Sequence, residues 1–438
     1  MSADSTSWRP LLEGQLAVRA ADAVRAIAGA LADLGRDDGQ SPAAMYAAGW
    51  SVSGAAGRAL FFGYLARSLE TDAARYSEEA DQLLERTTEA LATTPMGPAL
   101  YSGFTGIAWV AEHLGKILAV EEPGAGDDPG EEIDEVLLLA LASPWTGNYD
   151  LISGLVGFGV YALERVPRLT AIRCVEAIVD RLDETAEKTG EGITWFTSPD
   201  LLPPANRELH PKGYFNLGVA HGVPGVIVFL AEACRLEIRS ETARPLLEGA
   251  VRWVLAHRLA NQRGACYPAW VLPGIEPQPS RLAWCYGDPG VAVSLLCAAR
   301  AVGVAEWERA ALDIAIHAAG AAQEDAGVRD AGLCHGALGL AHLYNRIYQA
   351  GGGERFADAA RLWYSAGLDM RRPEGGIAGF EAWVLGAHRE MVWAADPGFL
   401  TGAAGVGLAL LAGLTSIEPE WDRLLMAAVP DLSKNAVE

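Results

Sequence analysis

The chain is short of positive charge. It carries 34 Lys and Arg against 56 Asp and Glu, a formal net charge of −22 over 438 residues. Non-specific nucleic-acid binding needs a basic footprint, so the charge argues against it, and no nucleic-acid partner is expected. The charge also argues against docking on an anionic membrane by charge alone. No run of 18 or more uninterrupted apolar residues occurs, so no integral membrane segment is expected. The polar start, Met1 to Pro10, lacks a basic stretch followed by an apolar one, so no secretory signal is expected there. Six cysteines in 438 residues are too sparse for a disulfide scaffold. A reducing, cytoplasmic setting follows, in which clustered thiols point to metal or catalysis. Half the residues are hydrophobic and 21% are charged, the balance of a folded globular chain.

The chain does have an internal repeat. A short x-Gly-x-x-Gly motif followed by an apolar helical run occurs seven times, with its first glycine at 54, 103, 154, 222, 287, 336 and 402. Successive spacings of 49, 51, 68, 65, 49 and 66 residues each leave room for two helices. The paired glycines suit helix starts where backbones approach closely. Stacked helical hairpins form a solenoid or close into a ring. In a closed ring one helix of each pair lies inside, and the seven motifs share one end. The fold class is therefore all-α. We read residues 1–438 as one domain with core repeats over about 45–412. Residues 190–215, rich in proline, read as an irregular insertion before the fourth motif, and a second irregular stretch follows Trp270. The acidic segment 121–132 reads as an exposed loop, and the apolar run 136–142 as a buried helix segment.

Four motifs open with Ser or Thr, the residues a helix N-cap favours. Three depart from this: His221, Tyr286 and His335. Two of them are preceded by cysteine, which puts Cys285 and Cys334 at the same repeat position. In a closed ring, equivalent positions converge. Two thiols and one imidazole are favoured zinc ligands, and three protein ligands leave a fourth position open for chemistry. The metal ligands are thus expected to be Cys285, Cys334 and His335, holding one Zn2+. His221, at the position of Tyr286 and His335, is a candidate acid or base. Arg281 is either an oxyanion or carboxylate partner or a surface ion-pair residue. Asp150 is either a site residue or a solvated charge at a helix start. Cys174, Cys234, Cys266 and Cys297 have no motif context and read as packed small residues. His113, His210, His257, His317, His342 and His388 receive no role.

The blocks Gly213-Tyr-Phe-Asn-Leu-Gly-Val-Ala-His-Gly-Val-Pro-Gly225, Trp284-Cys-Tyr-Gly-Asp-Pro-Gly290 and Gly332-Leu-Cys-His-Gly336 resemble, in order, the three signatures of the lanthionine synthetase C-like family. With the seven glycine motifs, the likeness covers about residues 45–412. Ala283 and Val219 are mild variations beside the signature residues. The resemblance implies a double α-toroid with inner and outer helix rings and zinc on Cys285, Cys334 and His335. It also implies His221, Tyr286, Arg281 and Asp150 around that metal. The implied activity is that of a stand-alone lanthipeptide cyclase. It adds a peptide cysteine thiol to a dehydroalanine or dehydrobutyrine of the same peptide, forming a thioether ring. The implied partners are a dehydrated precursor peptide and a dehydratase. The implied location is cytoplasmic, at most peripheral to a membrane-associated modification complex. Two alternatives stand beside this reading: addition of glutathione to dehydroamino acids, as in eukaryotic members, and a non-catalytic peptide-binding scaffold.

Overall fold

The computed structural model describes residues 8–34, 51–68, 72–118, 128, 130–260, 264–386 and 390–430. Its helices fall into two kinds. Seven follow the glycine motifs: Ala55–Arg67, Phe104–Leu118, Leu155–Arg165, Val223–Arg235, Asp288–Val302, Ala337–Ile347 and Ala403–Leu414. These are buried over most of their circumference; in Ala403–Leu414 every residue from Ala403 to Gly413 is buried. A helix that is apolar all round needs neighbours on every side. Each of the seven touches the next in chain order, and the last touches the first, so they form a closed inner ring.

The other long helices are amphipathic and show one face to solvent. Ala73–Thr93, Leu169–Thr185, Ser240–Ala256, Ala305–Ala319 and Glu354–Asp369 pack outside the inner helices that precede them. Glu131–Leu141 packs beside Leu169–Thr185. Its apolar run is only half buried. Leu137 and Leu141 face inward, while Val136 and Leu139 are exposed, which corrects the expectation of a buried segment. The physical reason is that an outer helix presents only one stripe to the core. Gly14–Leu34 packs on the final inner helix. There the Leu11 and Leu12 amides donate to the Gly413 carbonyl at 2.9 and 3.0 Å. Among the described residues the fold is an α/α toroid of seven inner and seven outer helices, so the ring closes where the repeat spacing alone left a solenoid as the alternative.

The second glycine of each motif is explained by one contact. A Cβ on Gly57, Gly106, Gly157, Gly225, Gly290, Gly339 or Gly405 would lie 1.8–2.6 Å from a backbone carbonyl of its own motif loop. No side chain survives that approach, so all seven positions need glycine. The N-cap expectation is corrected. The first glycine takes the cap position, as at Gly54, Gly154, Gly222, Gly336 and Gly402, with no side-chain cap bond. The hydroxyl one residue earlier bonds elsewhere, as when Ser53 Oγ donates to the Tyr101 carbonyl at 2.9 Å.

The centre of the ring is filled by the chain's own C-terminal segment, around the 3-10 turn Glu420–Leu425. Asp422 is fully buried and accepts from Arg346 Nη2 at 2.9 Å and from His342 Nε2 at 2.8 Å. Tyr101 Oη and Trp284 Nε1 donate to the carbonyls of Leu424 and Leu425 at 2.5 and 2.7 Å.

The two irregular stretches seen in the sequence meet. Phe196–Thr197 pairs with Tyr214–Asn216, which pairs in turn with Trp270–Val271, in one antiparallel three-stranded sheet. Residues 190–215 therefore carry ordered structure, including the short helix Pro204–Leu209. A further hairpin, Ala382–Leu385 with Met391–Ala394, accounts for the long sixth spacing. The acidic loop 121–132 and His388 lie largely or wholly outside the described residues; Asp128 is described and pairs with Arg165 at 2.7 Å.

Candidate metal centre and active site

Neighbouring motif loops are stitched by their backbones. The Cys285 amide donates to the Cys334 carbonyl at 3.2 Å, and the Cys334 amide donates to the Leu400 carbonyl at 2.8 Å. The repeat position two before the first glycine therefore stacks on its equivalent in the next repeat. That is why cysteines 49 residues apart meet. The ligand atoms of Cys285, Cys334 and His335 all lie within 4.8 Å of one another. The glycine after His335 starts the helix, so Cys334 and His335 sit in the turn before it rather than on its barrel.

The electrostatics of the cluster suit a cation. A hydrogen bond from Cys334, outweighing burial and helped by His335 and Arg281, lowers the Cys285 thiol to about 5. The same bond and burial raise Cys334. His335 is raised to about 10: burial works against its charge, and Asp330 and Cys285 overcome it. A thiolate, a second thiol and an imidazole crowded together are the donor set zinc prefers. His335 Nε2 donates to the Trp383 carbonyl at 3.3 Å and lies 3.5 Å from Asp330 Oδ2. That leaves the lone pair on Nδ1, the outer-shell arrangement that metal-bound histidines show.

Asp330 escaped the sequence reading. It is buried, and its carboxylate accepts from the Gly332 and Trp383 amides at 3.1 and 2.9 Å. A signal was present. Asp330, Asn216 and Asp396 each stand six residues before a motif's first glycine, and each accepts a bond from the amide two residues on. Asx turns of this kind shape the motif loops.

The other expected residues gather at the same end. Asp150 Oδ2 accepts from His221 Nδ1 at 2.6 Å, and Asp150 Oδ1 accepts from the Ser153 amide at 2.7 Å. His221 Nε2 has no hydrogen-bond partner among the described residues, and the side chain is 42% exposed. Its pKa is raised: burial opposes the charge, but the bond and field of Asp150 and the field of Cys285 prevail. The His221 loop abuts the metal ligands, since a Cβ on Gly218 would fall 2.3 Å from the Cys285 carbonyl and 2.5 Å from the Tyr286 ring. Tyr286 Oη accepts from Asn216 Nδ2 at 3.3 Å, and burial raises its pKa, so it stays a neutral donor. Arg281 is exposed, and its charge favours the Cys285 thiolate. All seven residues singled out from the sequence are thus drawn to one end of the ring.

A toroid of seven glycine-headed hairpins with a Cys/Cys/His cluster at the motif end, a group that could hold a metal ion, defines the class of protein. The family model for lanthionine synthetase C-like protein matches residues 51–426, and the chain belongs to that family. Nisin biosynthesis protein NisC of Lactococcus lactis subsp. lactis is 25% identical over 289 residues. That match takes in 61% of this chain and 66% of the relative, so the chain spans just under two thirds of it. Among solved structures, a nisin cyclase superposes with a TM-score of 0.70 at 21% identity, over 92% of this chain and 96% of that one.

Proposed function

We propose that this protein is a zinc-dependent lanthipeptide cyclase. The observation that carries the reading is the convergence of Cys285, Cys334 and His335 beside the His221–Asp150 pair. The relative's role in nisin biosynthesis supports it. The substrate is a precursor peptide that a partner dehydratase has already dehydrated, and the setting is cytoplasmic. No helix among the described residues is long and apolar enough to cross a membrane.

Cys285, Cys334 and His335 would hold the ion. When bound, zinc lowers the pKa of a substrate thiol, which is about 8.5 when free. The reaction forms a bond between that sulfur and the β-carbon of the dehydro residue, and the carbon–carbon double bond becomes an enolate. Arg281, an exposed fixed cation at this end of the ring, stabilises the enolate oxygen. His221, as the imidazolium, gives a proton to the α-carbon and is recharged from solvent, which takes up the thiol proton, so no net proton is consumed. Asp150 holds the imidazole by Nδ1 and favours its charged form, leaving Nε2 for the transfer. Tyr286 lines the edge of the site as a donor.

The test uses a dehydrated lanthipeptide precursor with free cysteines. Cyclisation removes alkylatable thiols and leaves the peptide mass unchanged. Thiols that persist with zinc-loaded protein would refute the activity. A mass increase of one glutathione, when that thiol is supplied, would identify the intermolecular reaction instead.

A further inference from the structure

A second cluster of ligand groups lies in the fifth repeat. Cys266, Asp288 and His317 offer ligand atoms that all lie within 4.8 Å of one another. They come from three segments. Cys266 is in the loop after the outer helix Ser240–Ala256, Asp288 begins the inner helix Asp288–Val302, and His317 is in the last turn of the outer helix Ala305–Ala319. None belongs to the Cys285, Cys334 and His335 cluster.

The carboxylate is the informative group. Asp288 is fully buried. Its Oδ1 accepts from the Cys266 and Tyr267 amides at 2.7 and 3.0 Å. Its Oδ2 is buried and has no hydrogen-bond partner among the described residues. A buried acceptor left bare costs about 1–3 kcal/mol, and more when it is charged. Arg258 lies close enough for its charge to favour the carboxylate and to reach the Cys266 thiol, but it gives Oδ2 no hydrogen bond; its guanidinium bonds Asp313 Oδ2 at 2.6 Å. His317 Nε2 lies 3.0 Å from the Gly264 carbonyl, a bond only an N–H can make. Nδ1 therefore keeps the lone pair, in the arrangement found for metal-bound histidine.

We infer that Cys266, Asp288 and His317 bind a second divalent metal of zinc type, one that fastens the fifth repeat together. One sulfur, one nitrogen and one carboxylate oxygen form a mixed set that zinc accepts at tetrahedral geometry, with water completing it. Thiolate and carboxylate together would neutralise the ion. The role is structural: the site joins two outer-ring segments to the first residue of the helix that follows Cys285-Tyr286-Gly287.

The experiment is metal content and Co2+ absorption of the full chain. Wild type should hold two metals per chain. The double variant Cys285→Ala/Cys334→Ala should keep one, with Co2+ showing the weaker charge-transfer band of a single thiolate. Adding Cys266→Ser to that background should abolish it. In the otherwise wild-type chain, His317→Gln should halve the metal content and leave the stronger two-thiolate band intact. A folded double variant that binds no metal overturns the inference, whatever becomes of the cyclase reading. So does a wild type that holds one metal, released by Cys334→Ala and untouched by His317→Gln.

Discussion

The sharpest handle on the proposed chemistry is Asp150→Asn. The change keeps the shape of the side chain and removes its charge beside His221, which bonds it at 2.6 Å. A hydrogen bond to a charged group contributes about 1.5–3 kcal/mol. One pKa unit corresponds to about 1.36 kcal/mol, so the His221 pKa should fall by about one to two units. The direction follows from the structure. The His221 pKa lies above its ordinary value, with Asp150 opposing the effect of burial. The imidazolium that protonates the α-carbon is therefore populated below that raised pKa and lost as pH rises through it. In the variant, the alkaline limb of the cyclisation rate should move down by about one to two pH units. The assay is the rate of thiol disappearance against pH, with metal content and melting temperature measured alongside. A variant that is folded, metal-loaded and equal to wild type in the position of its alkaline limb would refute the role given to the pair.

Other outcomes follow from the same geometry. Cys334→Ala should release one metal equivalent and abolish cyclisation while the helical circular dichroism persists, as read by metal analysis and peptide alkylation. Gly339→Ala should lower the melting temperature, because its Cβ would sit 2.0 Å from the Leu333 carbonyl; overpacking of this kind costs about 1–3 kcal/mol. Glu164 is buried, and although burial opposes its charge, its bond with His113 and the charges of Arg423 and Lys116 lower it to about 2. A depressed carboxylate stabilises the fold above its unfolded pKa and loses that effect as pH falls through the folded one. Set against the ordinary value of 4.5, this is worth about 3 kcal/mol near neutrality. Denaturant unfolding should show Glu164→Gln less stable than wild type at pH 7, with the gap closing between about pH 4.5 and pH 2. Asp330→Asn should weaken metal binding by about 10–100-fold in a chelator competition, by loosening the partner of His335.

The sequence announces what depends on residue identity at a fixed repeat position. The seven second glycines are legible because a carbonyl under 3 Å from the Cβ position tolerates nothing else. Cys285 and Cys334 are legible because they break the pattern at matched places, and backbone stitching then brings those places together. Asp330 was missed because its role lies in a turn and in a bond to Trp383, 53 residues away. The hairpin around Trp383 was missed for a related reason. Its strands are four residues each, and its place is set by that buried carboxylate rather than by local propensity. Cys266 and His317 carry no repeat signature, and only the tertiary fold shows them together. Serine and threonine at the motif starts misled because a glycine cap leaves the preceding hydroxyl free to bond the next loop.

The closure of the inner ring has a consequence for how the chain comes apart. Every pair of adjacent inner helices is joined by covalent chain except one, the first and the last. That seam is held by packing of Ala55–Arg67 on Ala403–Leu414. It is reinforced by Trp8 Nε1 donating to the Ala412 carbonyl at 2.8 Å, across 404 positions of sequence. Contacts of such separation form late in folding and carry no tether when they break. The lowest-energy opening of the molecule should therefore run along the seam, with amide exchange fastest in its two flanking helices among the seven. Cys285 and Cys334 belong to the fifth and sixth repeats, two and one before the last, so the ring can part at the seam while the thiols remain side by side.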